Sequence, residues 1–244
     1  MSLEHTQKTY EKLGRDDPFY AVLTDERYRD NRWDVSEFFA TGEREIADVF
    51  SQLEAAGLVV HPGRALDFGC GVGRLSQALA TRFDHVTGVD IAESMVAKAR
   101  ELNRHGDRVE YVANTVDDLR FLADQSIDFV YSSISLQHVP PPANARYIAE
   151  FMRILRPGAL AVFQVPNGRE IGTGGLSQWL YRLRRQYLRR AWKIIRGKPP
   201  YEMHYVPRAV VERIIAQGGA QLVVAKPVGS RKPDDNYRYF VRKS

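Results

Sequence analysis

Three glycines at alternate positions, Gly69, Gly71 and Gly73, follow the apolar run Ala65-Leu66-Asp67-Phe68 and precede a helical pattern from Leu75 to Phe83. Glycine at a strand-to-helix junction lets the backbone close on a ligand where the helix's first N–H groups lack partners. The chain after this turn keeps alternating. Strands are expected at Val86 to Asp90, Val109 to Ala113, Ile127 to Tyr131 and Ala159 to Val165, with helices at Ala92 to Leu102 and 143–155. Single helices between strands predict a doubly wound α/β architecture, mostly parallel, joined by right-handed crossovers. A helix from Pro207 to Gln217 then leads to strands near Gln221 to Ala225 and Tyr237 to Arg242, which read as an antiparallel edge.

Residues 1–62 are expected to form a helical cap on a main domain of 63–244. Within the cap, Ile46, Val49, Phe50, Leu53 and Ala56 recur at helical spacing, with Asp34 or Thr41 to start that helix and Gly57 to stop it. Trp33, Phe38 and Phe39 either pack this helix on the sheet or close over the ligand. The charge is uneven. Eight Lys/Arg and no acid fall between Ile171 and Tyr201, and without them the formal net charge of +5 turns negative. That basic insertion, about 170–203, carries an apolar stripe (Leu176, Trp179, Leu180, Leu183, Tyr187, Ala191) and has three readings. It is a lid over the site, a peripheral membrane contact through 176–196, or a recognition surface for an anionic or lipid-linked acceptor.

Several classes of function are disfavoured. The single cysteine, Cys70, allows no internal disulfide, and no His/Cys/Asp/Glu spacing suits a metal, so no metal site is expected. The opening residues show no apolar core of a secretory leader, and a cytoplasmic protein is expected, peripheral at the membrane if the basic helix docks there. No apolar run reaches the ~18–20 residues of a membrane span.

Two details narrow the ligand. The glycine spacing is Gly-x-Gly-x-Gly, whereas the dinucleotide fingerprint is Gly-x-Gly-x-x-Gly. Asp67, two residues before the first glycine, would repel a pyrophosphate and favour a cation. S-adenosyl-L-methionine, with a sulfonium and an ammonium and no phosphate, suits it. The second strand ends in Asp90, where a carboxylate can take both ribose hydroxyls.

These segments, Leu66-Asp67-Phe68-Gly69-Cys70-Gly71-Val72-Gly73 and Gly88-Val89-Asp90-Ile91-Ala92-Glu93-Ser94-Met95, resemble the class I S-adenosylmethionine-dependent methyltransferase family. Asp128 to Val139 and Leu155-Arg156-Pro157-Gly158-Ala159 resemble its later motifs, so the likeness runs from about Arg64 to Val165. The resemblance implies a Rossmann-like, seven-stranded sheet with an antiparallel C-terminal strand. It implies S-adenosyl-L-methionine as cofactor and S-adenosyl-L-homocysteine as product. Gly69, Cys70, Gly71 and Gly73 would form the turn under the methionine part, with Asp67 near the ammonium. Asp90 would hold the ribose, Ile91 and Met95 would flank the adenine, and Ser132 and Ser133 would lie beside the cofactor. The Asp that usually meets the adenine amino group is missing after the third strand, with Asn114 or Thr115 in its place.

The function this implies is methyl transfer to a small-molecule, sugar or lipid-type acceptor, with an oxygen as the expected atom. The rivals are a non-catalytic cofactor-binding regulator on the same fold and an RNA or protein methyltransferase using the basic helix. DNA is disfavoured, since Ser132-Ser133-Ile134-Ser135 is not the Asn/Asp-Pro-Pro-Tyr/Phe of base-modifying relatives. His138 and His204 are the candidate catalytic bases, and Arg74 is expected to face solvent.

Overall fold

The computed structural model describes residues 2–167, 203–228 and 236–244. The basic insertion, including 176–196, lies outside the described residues. Seven strands form one sheet in the order β3-β2-β1-β4-β5-β7-β6. They are β1 (Arg64–Phe68), β2 (His85–Asp90), β3 (Val109–Ala113), β4 (Ile127–Ser132), β5 (Leu155–Pro166), β6 (Ala220–Pro227) and β7 (Asn236–Lys243). β7 runs antiparallel to both β5 and β6, and the other described pairings are parallel. The doubly wound sheet with an antiparallel C-terminal strand is therefore as expected. β7 slots between β5 and β6, so β6 forms the C-terminal edge and β3 the other.

The central strands are apolar on both faces, because helices cover both. Ile127, Phe129, Val130 and Tyr131 of β4 are at most 1% exposed. One face packs under α6 (Pro141–Ile154) and α7 (Arg208–Gln217), with Phe151, Met152, Val211 and Ile215 in its core. The other packs under α3 (Val35–Ala55), α4 (Arg74–Leu79) and α5 (Glu93–Glu101), with Ile46, Val49, Leu79 and Val96.

α3 forms where the stripe predicts. The Asp34 carboxylate accepts from Glu37 N–H at 2.8 Å, and Gly57 ends the segment at φ +66°. Gly42 is required on its inner face, since a Cβ there would stand 2.4 Å from the Arg74 carbonyl oxygen. Phe38 and Phe39 pack with Phe19, Val72 and Met95. Trp33 stacks on Tyr28 with ring centres 3.8 Å apart. All three pack against Phe19, the glycine turn and α5 instead of on the sheet, and none of them is on the cavity wall described below. α1 (Leu3–Asp16) and α2 (Pro18–Val22) precede this layer, and α1 lies against α5.

The boundaries furthest from expectation are the end of α4 and the start of β5. α4 stops at Leu79, and residues 80–83 turn toward β2. β5 begins at Leu155, so Arg156-Pro157-Gly158 lies inside the strand, where the β4–β5 register shifts between Ile127 and Phe129.

Candidate active site

Strand order reverses at β1, with β2 on one side and β4 on the other, and a crevice opens at the carboxyl ends of these strands. One cavity there has about 780 Å³ of unfilled space, mouth included. Its floor comes from four strand ends: Phe68 ending β1 with Gly69 and Gly71 after it, Asp90 ending β2 with Ile91 after it, Asn114 after β3, and Ser133 to Ser135 after β4.

The turn after β1 is built from left-handed backbone. Gly69, Gly71 and Gly73 have φ of +77°, +54° and +85°, which L side chains rarely adopt. Close packing reinforces the need: a Cβ on Gly69 would stand 1.6 Å from Ser135 Oγ, and one on Gly71 2.6 Å from Val22 Cγ2. Gly73 is the N-cap of α4, against the Tyr111 ring, and is not on the cavity wall.

Asp90 is on the wall. Its Oδ2 accepts from Gly71 N–H at 2.9 Å and its Oδ1 from Ala92 N–H at 3.0 Å. Each oxygen keeps a second lone pair for a hydroxyl donor. Burial raises the Asp90 pKa, while the N–H groups of Ala92, Gly71 and Ile91 pull the other way. Ile91 and Met95 line the same side. Asn114 also lines the cavity. Its amide nitrogen donates to the Val116 and Asp118 carbonyls at 3.1 and 2.8 Å, which turns Oδ1 into the end that can receive an amino group.

Other expected residues stand elsewhere. Asp67 is fully buried beneath the turn and off the wall. Its Oδ2 accepts from Ser76 Oγ at 2.6 Å, while Oδ1 has no hydrogen-bond partner. Burial pushes its pKa up to about 7, against the lowering effect of Ser76 and of the Arg74 charge. Cys70 is buried beside it, its thiol pKa raised by burial, and it does not reach the cavity. Thr115 is exposed and off the wall. Ser132 donates to the Phe68 carbonyl at 3.0 Å, tying β4 to β1, and leaves the wall to Ser133.

Arg74 corrects its expectation. It is 3% exposed and its Nη2 lies 2.7 Å from Glu45 of α3. The absence of a side chain at Gly42 lets α3 close on the first turn of α4, and that closeness buries the guanidinium. Glu45 also accepts from Tyr131 Oη at 2.8 Å. Burial works against the Glu45 charge, but Arg74, with the Ser133 and Tyr131 hydroxyls, holds its pKa below the usual range.

His138 lines the cavity, with its Nε2 3.0 Å from the Gln137 amide nitrogen. That amide donating to Nε2 places the ring proton on Nδ1. His204 is not on the wall. Its backbone N–H donates to the Gln137 carbonyl at 2.7 Å, which brings the segment after the insertion beside this loop.

Sequence reasoning missed the roof. Leu3, Thr6 and Tyr10 of α1, Ala21 and Val22 of α2, and Tyr147 of α6 complete the cavity. Leu3, Thr6 and Tyr10 sit at helical spacing, a signal present in the sequence but shared by any core-facing helix. Ile134 has φ +63°, rare for a β-branched residue, and it aims the Ser133–Ser135 stretch into the crevice.

Residues 65–158 match the family model described as methyltransferase domain. Those residues are thus similar to a methyltransferase domain, on the fold shared by S-adenosylmethionine-dependent methyltransferases. A ubiquinone biosynthesis O-methyltransferase from Hahella chejuensis is 39% identical over 108 residues, 43% of this chain and 44% of that protein. A trans-aconitate 2-methyltransferase from Variovorax paradoxus is 34% identical over 111 residues, 44% and 40% of the two chains. The match spans less than half the length of these curated relatives. Magnesium protoporphyrin IX methyltransferase from Synechocystis PCC 6803, solved with S-adenosylhomocysteine, superposes with a TM-score of 0.62 at 18% identity over 99% of each chain. That likeness shows the shared fold.

The cofactor of this methyltransferase family is S-adenosyl-L-methionine, and the residues present fit it. The wall offers a carboxylate with two open acceptor positions, glycine backbone for close approach, and apolar Ile91 and Met95. Among the described residues it carries no Lys or Arg to meet a pyrophosphate.

Proposed function

We propose that the protein transfers a methyl group from S-adenosyl-L-methionine to an oxygen of a small-molecule acceptor. The observation that carries the reading is Asp90: a carboxylate on the cavity wall, oriented by Gly71 and Ala92 N–H groups, beside glycines with left-handed backbone. Asp90 would take the two ribose hydroxyls, Asn114 Oδ1 the adenine amino group, and Ile91 and Met95 the adenine faces. Gly69 and Gly71 would admit the methionine part. When bound, the cofactor supplies an electrophilic methyl on a sulfonium.

The protein's part is orientation and exclusion of water. Holding two reacting groups in line contributes about 7–11 kcal/mol to lowering a barrier. α1 and α2 roof the crevice with Leu3, Ala21 and Val22, which keeps the site dry. A hydroxyl acceptor must also lose its proton. His138 is the group on the wall suited to take it at Nε2, once the acceptor's hydroxyl displaces the Gln137 amide. Base assistance of this kind contributes about 10²–10⁴-fold.

The test is transfer of an isotope-labelled methyl group from S-adenosyl-L-methionine across a panel of hydroxyl compounds. Labelled ether products are expected, with His138→Ala lowering kcat at least a hundredfold and leaving S-adenosyl-L-homocysteine affinity within threefold. Labelled amine or thioether products, or His138→Ala with unchanged kcat, would contradict the oxygen and base assignments.

A further inference from the structure

We propose that Tyr147 of α6 is a positioning residue for the cofactor's base: it braces the backbone turn that fixes the Asn114 amide, and so makes the crevice select a 6-amino over a 6-oxo purine. The proposal rests on the methyltransferase reading above. Asn114 carries the chemistry. It is buried, and both protons of its amide nitrogen are spent, one on the Val116 carbonyl at 3.1 Å and one on the Asp118 carbonyl at 2.8 Å. Its Oδ1 is left to face the crevice, an acceptor that suits an amino group and opposes a carbonyl oxygen. A reversed amide would set Oδ1 against two carbonyl oxygens, so the orientation lasts while those carbonyls stay where they are.

What holds them differs along the turn. Its start is fixed by β3 and by the Asn114 N–H, which donates to the Asp90 carbonyl at 2.8 Å. Its end is fixed at Leu119, whose N–H donates to Glu150 at 2.8 Å and whose carbonyl accepts from Arg153 at 3.0 Å. Between these ends none of residues 115–118 is buried, and Val116 stands exposed. The Val116 carbonyl is therefore placed by polar ties, and the Tyr147 hydroxyl donates to it. That hydroxyl is aimed by its buried ring, which packs on Phe68 with centroids 4.4 Å apart at 55°. Tyr147 also lines the crevice with Asn114, so one side chain walls the base and holds the peptide that sets its hydrogen bond. Arg146, one position earlier on α6, pairs with Asp117 and ties the same turn to the helix by a different atom.

The experiment titrates the full chain calorimetrically with S-adenosyl-L-homocysteine and with S-inosyl-L-homocysteine, in which a 6-oxo group replaces the 6-amino group and N1 carries a proton. Wild type is expected to bind the adenosyl compound at least tenfold more tightly, the cost of leaving two acceptors face to face. Tyr147→Phe keeps the ring, removes the hydroxyl, and should cut that preference at least fivefold. Both affinities come from one preparation, so any loss of folded protein weakens the two ligands alike and cancels in the ratio. Arg146→Ala is the control for looser anchoring of the turn in general, and should leave the ratio within twofold of wild type. A smaller wild-type preference, a smaller loss of preference in Tyr147→Phe, or a larger loss in Arg146→Ala would each overturn the proposal. Wild type that binds neither compound would take down the methyltransferase reading itself, a result distinct from binding both purines alike.

Discussion

Asp67 and Asp90 sit at the carboxyl ends of neighbouring strands, yet their surroundings give them different tasks. Asp90 faces the cavity with backbone donors on both oxygens, so replacing it removes acceptors and leaves little to collapse. Asp90→Ala is expected to weaken S-adenosyl-L-homocysteine at least tenfold with the melting temperature within a few degrees of wild type; calorimetry and a thermal melt together check it. Asp67 is sealed under the turn with one unpartnered oxygen and a pKa near 7, against 3.8 for the ordinary group. A carboxyl whose folded pKa lies above its unfolded one keeps its proton longer in the fold. Between about pH 4 and 7 the unfolded chain has already released that proton, so Asp67 makes stability fall as pH rises through this window and level off above it. Asp67→Asn should flatten that slope, gaining stability over wild type at pH 8 relative to pH 5. Urea titrations at the two pH values measure it, and parallel profiles for the two proteins would refute the buried neutral carboxyl. The sequence reading set both carboxyls against the ligand, and the structure keeps Asp90 on the wall and seals Asp67 beneath it. Strand alternation puts residues on opposite faces, and which face is closed depends on Ser76 of α4.

At the scale of elements, α3 and α4 are held together by a charged pair that no local pattern announces. Arg74 and Glu45 are twenty-nine positions apart and meet because Gly42 lets the helices touch. Glu45→Ala leaves the guanidinium buried without its carboxylate and is expected to cost about 3–5 kcal/mol in urea unfolding, whereas Glu45→Leu with Arg74→Met recovers most of the loss. A loss below ~1 kcal/mol for the single variant would show that water reaches Arg74. Helix and strand existence was legible from β1 to β5, because periodicity and the Pro/Gly breaks agreed there. The end of α4 and the start of β5 were not. The start of β5 is set by pairing across the sheet, where Ile127 meets Leu155 ahead of the register shift. The expectation of a solvent-facing Arg74 failed for the same reason: burial is decided by the neighbour, α3.

For the molecule as a whole, sheet order locates the site. β1 sits where the strand order reverses, and the turn after β1 with the ends of β2, β3 and β4 converges on one crevice. That half was readable from the chain, since Gly69, Gly71, Asp90, Ile91, Met95, Asn114, Ser133 and His138 all line it. The roof was not, because α1 reaches the crevice through contacts more than a hundred residues away, as between Thr6 and His138. No described helix is long and apolar enough to cross a membrane. The account therefore stands or falls on the ligand the crevice accepts. The most direct test is calorimetric titration of the protein with S-adenosyl-L-homocysteine and, in parallel, with NAD, backed by a thermal melt. Saturable heat from the first and none from NAD is predicted, with stabilisation of about 2.7 kcal/mol at a hundred times the dissociation constant. Binding of NAD in preference to S-adenosyl-L-homocysteine, or of neither, would contradict the assignment of Asp90 and the glycine turn to this cofactor.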